Sequence, residues 1–316
     1  MEQEVTMASI QMEAIRTMTA EMTQSAGAGF FGQIDPAHMR EIVEINQANM
    51  PIPDGVTFTD CMLDGMYAEL STPNDGREDA VILYCHGGGL ICGTAKTARG
   101  YASVLAKESR IPVYSFSYGL APEHTFPEPV DDCFKAYKRV MEMHPDVPLY
   151  LIGESAGAYL SLATALKVRD EGLRRPAGII LNSVVIDFSG TLDRSWSGWA
   201  EDTVTDDSIK GQLADFYCPD KSLRTHPYCS PLFADFKDLP PMLVVWDKGE
   251  ALAPDSEEVI RKATEARVPV EADRFEETFH ACAPVLRNAP ETSKMLDDTI
   301  AFIYKHLHDQ KLDWEE

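Results

Sequence analysis

The stretch Leu149-Tyr150-Leu151-Ile152-Gly153-Glu154-Ser155-Ala156-Gly157, continued by Tyr159-Leu160-Ser161-Leu162-Ala163, decides the fold. Leu149 to Ile152 is a short apolar run of the kind buried in a sheet, and the residues from Tyr159 read as the start of a helix. Between them a serine stands with a glycine two positions to either side. That is the strand, turn and helix context of a nucleophile elbow, in which the turn is so tight that the flanking positions have almost no room for a side chain. Taken alone, G-x-S-x-G is a weak signal, and its weight comes from what surrounds it.

Upstream, His86-Gly87-Gly88-Gly89 follows a second apolar run, Val81 to Cys85. Three successive glycines leave backbone N–H groups unshielded, and such donors can hold a developing oxyanion. A flexible loop or a phosphate cradle are the other readings. The cradle lacks the Lys-Ser/Thr continuation of a P-loop and the glycine spacing of a dinucleotide site. Serine acyl transfer needs a nucleophile and preorganised donors at the same carbonyl, so the two motifs reinforce each other.

From residue 81 onward, β-branched runs alternate with helical segments, the pattern of a mostly parallel sheet with crossover helices. Further strands are expected at Val113 to Tyr118, Gly178 to Ile186, Met242 to Trp246 and Val268 to Phe275. Val130, Cys133, Phe134, Tyr137 and Met141 mark a core-facing helix after Pro129, and Leu296, Ile300, Ile303 and Leu307 mark a last helix after Pro290. The acidic end Asp313 to Glu316 reads as solvated. Two regions fall outside the alternation. In residues 1–50, Met7, Ile10, Ala14, Met18 and Met22 form one helical stripe, expected to pack inward, and Met39, Ile42 and Val43 begin another after Pro36. The glycines and phenylalanines between Ser25 and Phe31 separate the two. Near 188–230, Trp196, Trp199, Phe216 and Tyr217 stand among acidic residues, which indicates a helical excursion with apolar anchors.

The 316 residues carry 28 Lys and Arg against 51 Asp and Glu, a net charge of −23, which argues against a nucleic-acid partner because phosphate binding needs clustered bases. No apolar run reaches the ~18 residues of a spanning helix, and the acidic start MEQEV is unlike a signal peptide. Cys61, Cys85, Cys92, Cys133, Cys218, Cys229 and Cys282 are odd in number and scattered, as in a reduced, cytoplasmic protein. Neither they nor the eight histidines show metal-ligand spacing; His306 and His308 come closest, but two residues apart on a helix they point to different sides. No metal and no other cofactor is expected.

The chain resembles the hormone-sensitive-lipase-like carboxylesterases of the α/β-hydrolase fold. The resemblance runs from about residue 80 to 307 and is carried by His86 to Gly89, Tyr118-Gly119-Leu120-Ala121-Pro122-Glu123-His124, Phe126-Pro127, Gly153 to Gly157, Leu239-Pro240-Pro241 and His280. It departs from the usual family sequence at Gly119, Glu154 and Ala158, where Arg, Asp and Gly are customary. The resemblance implies Ser155 as nucleophile, oxyanion N–H groups from Gly88, Gly89 and Ala156, and a structural role for His86. The order nucleophile, acid, histidine puts the base late in the chain, and His280 alone lies between the strand ending near Phe275 and the last helix. The family's acid lies two residues before a leucine, which selects Glu250; Asp247 and Asp255 are rivals.

The expectation is therefore one α/β-hydrolase domain over residues 51–316, capped by residues 1–50 and by an insertion near 188–230, that hydrolyses small, neutral, short-acyl esters. An amidase or lactone hydrolase, or a non-catalytic small-molecule receptor on the same scaffold, are the alternatives. A small-molecule ester is the expected partner, a membrane is not, and a homo-oligomer is compatible with the sequence.

Overall fold

The computed structural model describes residues 8–25, 34–48, 51–195 and 207–309. Its centre is an eight-stranded sheet of β1 (Val56–Leu63), β2 (Met66–Pro73), β3 (Val81–Cys85), β4 (Val113–Phe116), β5 (Leu149–Glu154), β6 (Gly178–Asn182), β7 (Met242–Asp247) and β8 (Val270–Phe275). They lie in the order β1-β2-β4-β3-β5-β6-β7-β8, with β1, β2 and β4 antiparallel in turn and every pairing from β4 through β8 parallel. Strands β3 to β7 are buried along their whole length, as parallel strands covered on both faces must be.

All six expected strands are present, and three are shorter than expected: β4 ends at Phe116, β6 at Asn182, and β8 begins at Val270. The run from Gly178 ends at Asn182 because Ser183 takes φ = 52° and turns the chain out of the sheet. The β1–β2 hairpin, absent from the alternation pattern, is signalled by Asp64-Gly65, whose φ values of 50° and 87° suit a tight two-residue hairpin turn. Helices α1 (Ile10–Ser25), α2 (Pro36–Ala48), α3 (Arg99–Ser109), α4 (Glu128–Met143), α5 (Ala156–Asp170), α6 (Asp207–Tyr217), α7 (Ala253–Glu265) and α8 (Pro290–Asp309) complete the described chain. Two apolar clusters fill the two sides of the sheet. One holds α4 through Val130, Cys133 and Tyr137 and nearly all of α5; the other holds α3 and, through Leu296, Ile303 and Leu307, α8. Six of the seven thiols are buried and none is paired.

The inward stripe expected on α1 is corrected by the structure. Ile10 is 82% exposed, Met18 56% exposed and Ala14 exposed, whereas Met12 is fully buried and Ile15 packs beside it. Polar clamps set this rotation. Glu291 accepts from the N–H (2.6 Å) and hydroxyl (2.8 Å) of Ser9, Glu277 Oε2 accepts from Ala8 N–H (2.6 Å), and Arg16 donates to the Glu277 carbonyl (3.2 Å). On α2, Met39 and Val43 do pack inward. Met7, the side chain of Met22, Trp196, Trp199, most of Ser25 to Phe31 and the acidic end from Asp313 lie outside the described residues or side chains.

Among its described side chains, helix α1 buries Met12 fully and packs Ile15 partly, and a few bonds at the surface add to these. Met12→Ala is expected to detach α1 locally, since removing a buried methionine costs roughly 2–5 kcal/mol and little else holds the helix. Amide exchange over residues 10–25 should rise steeply while the melting temperature of the sheet stays within a few degrees.

Candidate functional site

The chain turns sharply at the C-terminal end of the central strand β5. Ser155 sits at φ = 52°, ψ = −119°, a conformation costly for a residue with a Cβ, and its N–H is held by the Asn182 carbonyl at 2.8 Å. The flanking glycines are compulsory. A Cβ on Gly157 would lie 1.9 Å from the Cys85 carbonyl oxygen, and one on Gly153 would lie 2.3 Å from the Gly157 backbone. Helix α5 starts at Ala156, directly after the serine.

Loops after β7 and β8 bring the partners. The Nε2 of His280 lies 2.8 Å from Ser155 Oγ, and its Nδ1 lies 2.8 Å from Glu250 Oε2. An ionised carboxylate only accepts, so Nδ1 donates to Glu250 and Nε2 is left to accept the serine proton. Both His280 and Glu250 are buried.

The two rival carboxylates, Asp247 and Asp255, bond other groups. Asp247 accepts from Thr278 N–H (2.7 Å), Thr278 Oγ1 (2.8 Å) and Gly249 N–H (2.7 Å), so it ties the Glu250 turn to the His280 loop; burial pushes its carboxyl upward from the usual range. Asp255 receives Arg194 through two bonds of 2.6 Å and caps Ile186 N–H. Sequence reasoning did not find Ser183, whose hydroxyl accepts from Ala281 N–H at 2.9 Å and fixes the residue after the base. A positive-φ serine ending a strand carries no local pattern that marks it.

The glycine loop after β3 lies against the elbow. Gly88 and Gly89 take φ = 105° and 61°, and Gly89 and Ala156 line the same cavity as Ser155 and His280. Gly88 is not part of that wall; the Ile91 and Cys92 N–H groups bond its carbonyl. His86 is buried and stacked on Tyr118 with ring centroids 4.3 Å apart, and Tyr118 donates to the His86 carbonyl at 2.8 Å. Desolvation lowers its pKa to about 4, so it stays neutral at physiological pH. Glu154 is also buried, and desolvation raises its pKa to about 7 against the opposing effect of Tyr84 and the Gly87 N–H.

The cavity, about 60 Å³ in volume, has apolar walls from Leu90, Val185, Phe188, Leu213 and Leu252, with Asp187 at its edge. Leu213 reaches in from α6, and a Cβ on Gly89 would lie 3.1 Å from its methyls. Among the described residues no cluster of His, Cys, Asp or Glu could hold a metal ion, and no helix is long and apolar enough to cross a membrane.

Residues 82–284 match the profile of a family described as alpha/beta hydrolase fold. The chain belongs to that family. This hydrolase is 28% identical to an acetyl-hydrolase of Streptomyces hygroscopicus over 94% of its own length and 97% of the relative's. It is 27% identical to an arylesterase of Saccharolobus solfataricus over 76% and 79% of the two chains. Among solved structures, an esterase from the bacterial hormone-sensitive lipase family superposes with a TM-score of 0.87 at 27% identity, covering 96% of the hydrolase and all of that chain. The expected fold and family are thereby borne out.

Proposed function

We propose that this hydrolase is a carboxylesterase that acts on small, short-acyl neutral esters through a Ser155–His280–Glu250 triad. The observation that carries the reading is the continuous hydrogen-bonded line from Ser155 Oγ through His280 to Glu250, 2.8 Å at each step. Ser155 Oγ attacks the ester carbonyl as its proton passes to His280 Nε2, and Glu250 holds the ring and stabilises the imidazolium. The tetrahedral oxyanion is received by the N–H groups of Gly88, Gly89 and Ala156. Collapse expels the alcohol, which takes the proton from His280, and leaves an acyl-enzyme; water then repeats the sequence on that ester. No cofactor enters any step.

The short-acyl preference is supported by the cavity. It is small, about 60 Å³, and Leu90, Val185, Phe188, Leu213 and Leu252 close apolar walls around Ser155. The cap reading, with residues 1–50 and 188–230 over a hydrolase body of 51–316, is supported by α6 and α2. Leu213 of α6 lies on the oxyanion glycine, Gln212 bonds Ile34 N–H at 2.8 Å, and Arg40 of α2 donates to the Ile91 and Ala121 carbonyls. A cytoplasmic location is supported by seven unpaired thiols.

Ser155→Ala should fold as the wild type does and lose both ester hydrolysis and labelling by a fluorophosphonate probe. Equal labelling of the variant would place the nucleophile elsewhere, and an unlabelled, inactive wild type would favour a receptor. Aryl esters of rising acyl length, assayed beside an anilide and a lactone, separate the esterase from its amidase and lactonase alternatives.

For the acid, Glu250→Gln should cost ~10³ to 10⁴ in kcat by analogy with other triads. Asp247→Asn and Asp255→Asn should lose stability in a thermal melt and far less kcat. Should either cause the large kcat loss with an unchanged melt while Glu250→Gln stays active, Glu250 is not the acid.

Leu213→Ala should lengthen the acyl group accepted. With about 0.8 kcal/mol per buried methylene, each carbon that enters the new space shifts kcat/KM by roughly fourfold. With two of hexanoate's extra carbons in that space, the hexanoate-to-acetate ratio should rise about sixteenfold, and an unchanged ratio would show that α6 does not bound the acyl site.

A further inference from the structure

The oxyanion loop and the nucleophile's turn meet at one buried carboxylate. Glu154 immediately precedes Ser155, and Gly87 immediately precedes Gly88. Glu154 Oε1 accepts from Gly87 N–H at 2.6 Å, and Oε2 accepts from the Tyr84 hydroxyl at 2.5 Å. The approach is so close that a Cβ on Gly87 would lie 3.0 Å from both the carbonyl oxygen and Oε1 of Glu154. We propose that Glu154 is a positioning residue of the hydrolysis: its ionised carboxylate locks the loop carrying Gly88 and Gly89 to the turn carrying Ser155, so that donors and nucleophile address one carbonyl. The inference rests on the esterase reading above and adds to it a residue outside the triad.

The physical reason for a charge here lies in what it must hold. Glycines at φ = 105° and 61° have no side chain to anchor them, and an oxyanion hole works only if its donors are fixed before the charge develops. An ionised acceptor forms a hydrogen bond roughly twice as strong as a neutral one. The titratable groups that act on Glu154 are Tyr84 from β3, Tyr101 from α3, Tyr118 after β4 and His280 from the loop after β8. Of these, only His280 can become a cation, and it does so in the transition state. The Glu154 anion therefore also favours the imidazolium.

Keeping that anion has a cost in stability whose sign is fixed. Desolvation raises the folded-state pKa from the ordinary 4.5 to about 7, so the native protein is stabilised below 4.5 and loses that advantage as pH rises through 7. Function and stability are thus set against each other at one residue. A residue present only for packing would not oppose them.

The test uses the full chain and the Glu154→Gln, Glu154→Asp and Tyr84→Phe variants, with kcat, KM and melting temperature followed from pH 5 to 8. Glu154→Gln should lower kcat about tenfold with KM within about twofold, because the oxyanion exists only in the transition state. Its log kcat should fall on the acid side with a slope of one where the wild type has two, since His280 and Glu154 must both be deprotonated in the wild type. Glu154→Asp keeps the charge and should restore the slope of two. Tyr84→Phe removes a bond that favours the anion and should move the acid limb to higher pH. The melting temperature of Glu154→Gln relative to wild type should rise between pH 5 and pH 8. Wild-type kcat and slope in Glu154→Gln, or a kcat loss matched by a lower melting temperature at both pH values, would overturn the inference. A wild type that hydrolyses no ester would instead overturn the esterase reading, so the two failures are distinguishable.

Discussion

The structure depends on a contact that leaves no room for a methyl group: the first turn of α5 against the end of β3. The carbonyl of Cys85 approaches Gly157 so closely that any side chain there is excluded, and Gly153 must be bare for the same turn to close. That contact aligns the end of the central strand with the end of its neighbour. One carries the serine and the other the glycine loop. The helix that follows points its N-terminus at the serine, and its positive end favours negative charge at the same spot. The proposed nucleophile and the glycine loop proposed to hold the oxyanion are thus brought together by backbone packing before any polar side chain takes part.

Polar side chains then fix the loops that packing leaves free. Asp247 spans from Gly249 to Thr278 and so joins the turn of Glu250 to the loop of His280, while Ser183, just after β6, pins Ala281. Asp255 does comparable work at a distance, holding Arg194 and the backbone at Ile186. Buried carboxylates in this half of the molecule are therefore common, and burial alone does not identify the one beside the base. The distinction is geometric. Of the three candidate carboxylates, Glu250 is the one that lies 2.8 Å from the histidine's Nδ1.

Much of this was legible in the sequence because it is local. Gly153 to Gly157, His86 to Gly89 and the apolar strands before them state their backbone requirements in consecutive residues. Glu250 was selected as the acid through the family resemblance, with Asp247 and Asp255 as rivals, since carboxylates three and five residues apart differ in orientation rather than in pattern. The turn of α1 was misread for a related reason. Its apolar periodicity is real, but Glu277 and Glu291, more than 250 residues away, decide which face turns inward. The β1–β2 hairpin carried its own Asp-Gly signal, outside the strand and helix alternation that identifies the parallel half.

The burial of the thiols has a consequence for how the chain meets oxidants. Desolvation raises Cys92 and Cys282 to about 12 and pushes Cys133 well above its usual value, so almost none of these sulfurs is thiolate in the native protein. Thiolate is the form that peroxides and alkylating agents attack. Cys61 alone is partly open to solvent. Chemical damage at the other six sulfurs therefore has to wait for the chain to open, and modified cysteine becomes a cumulative record of how often each region has done so.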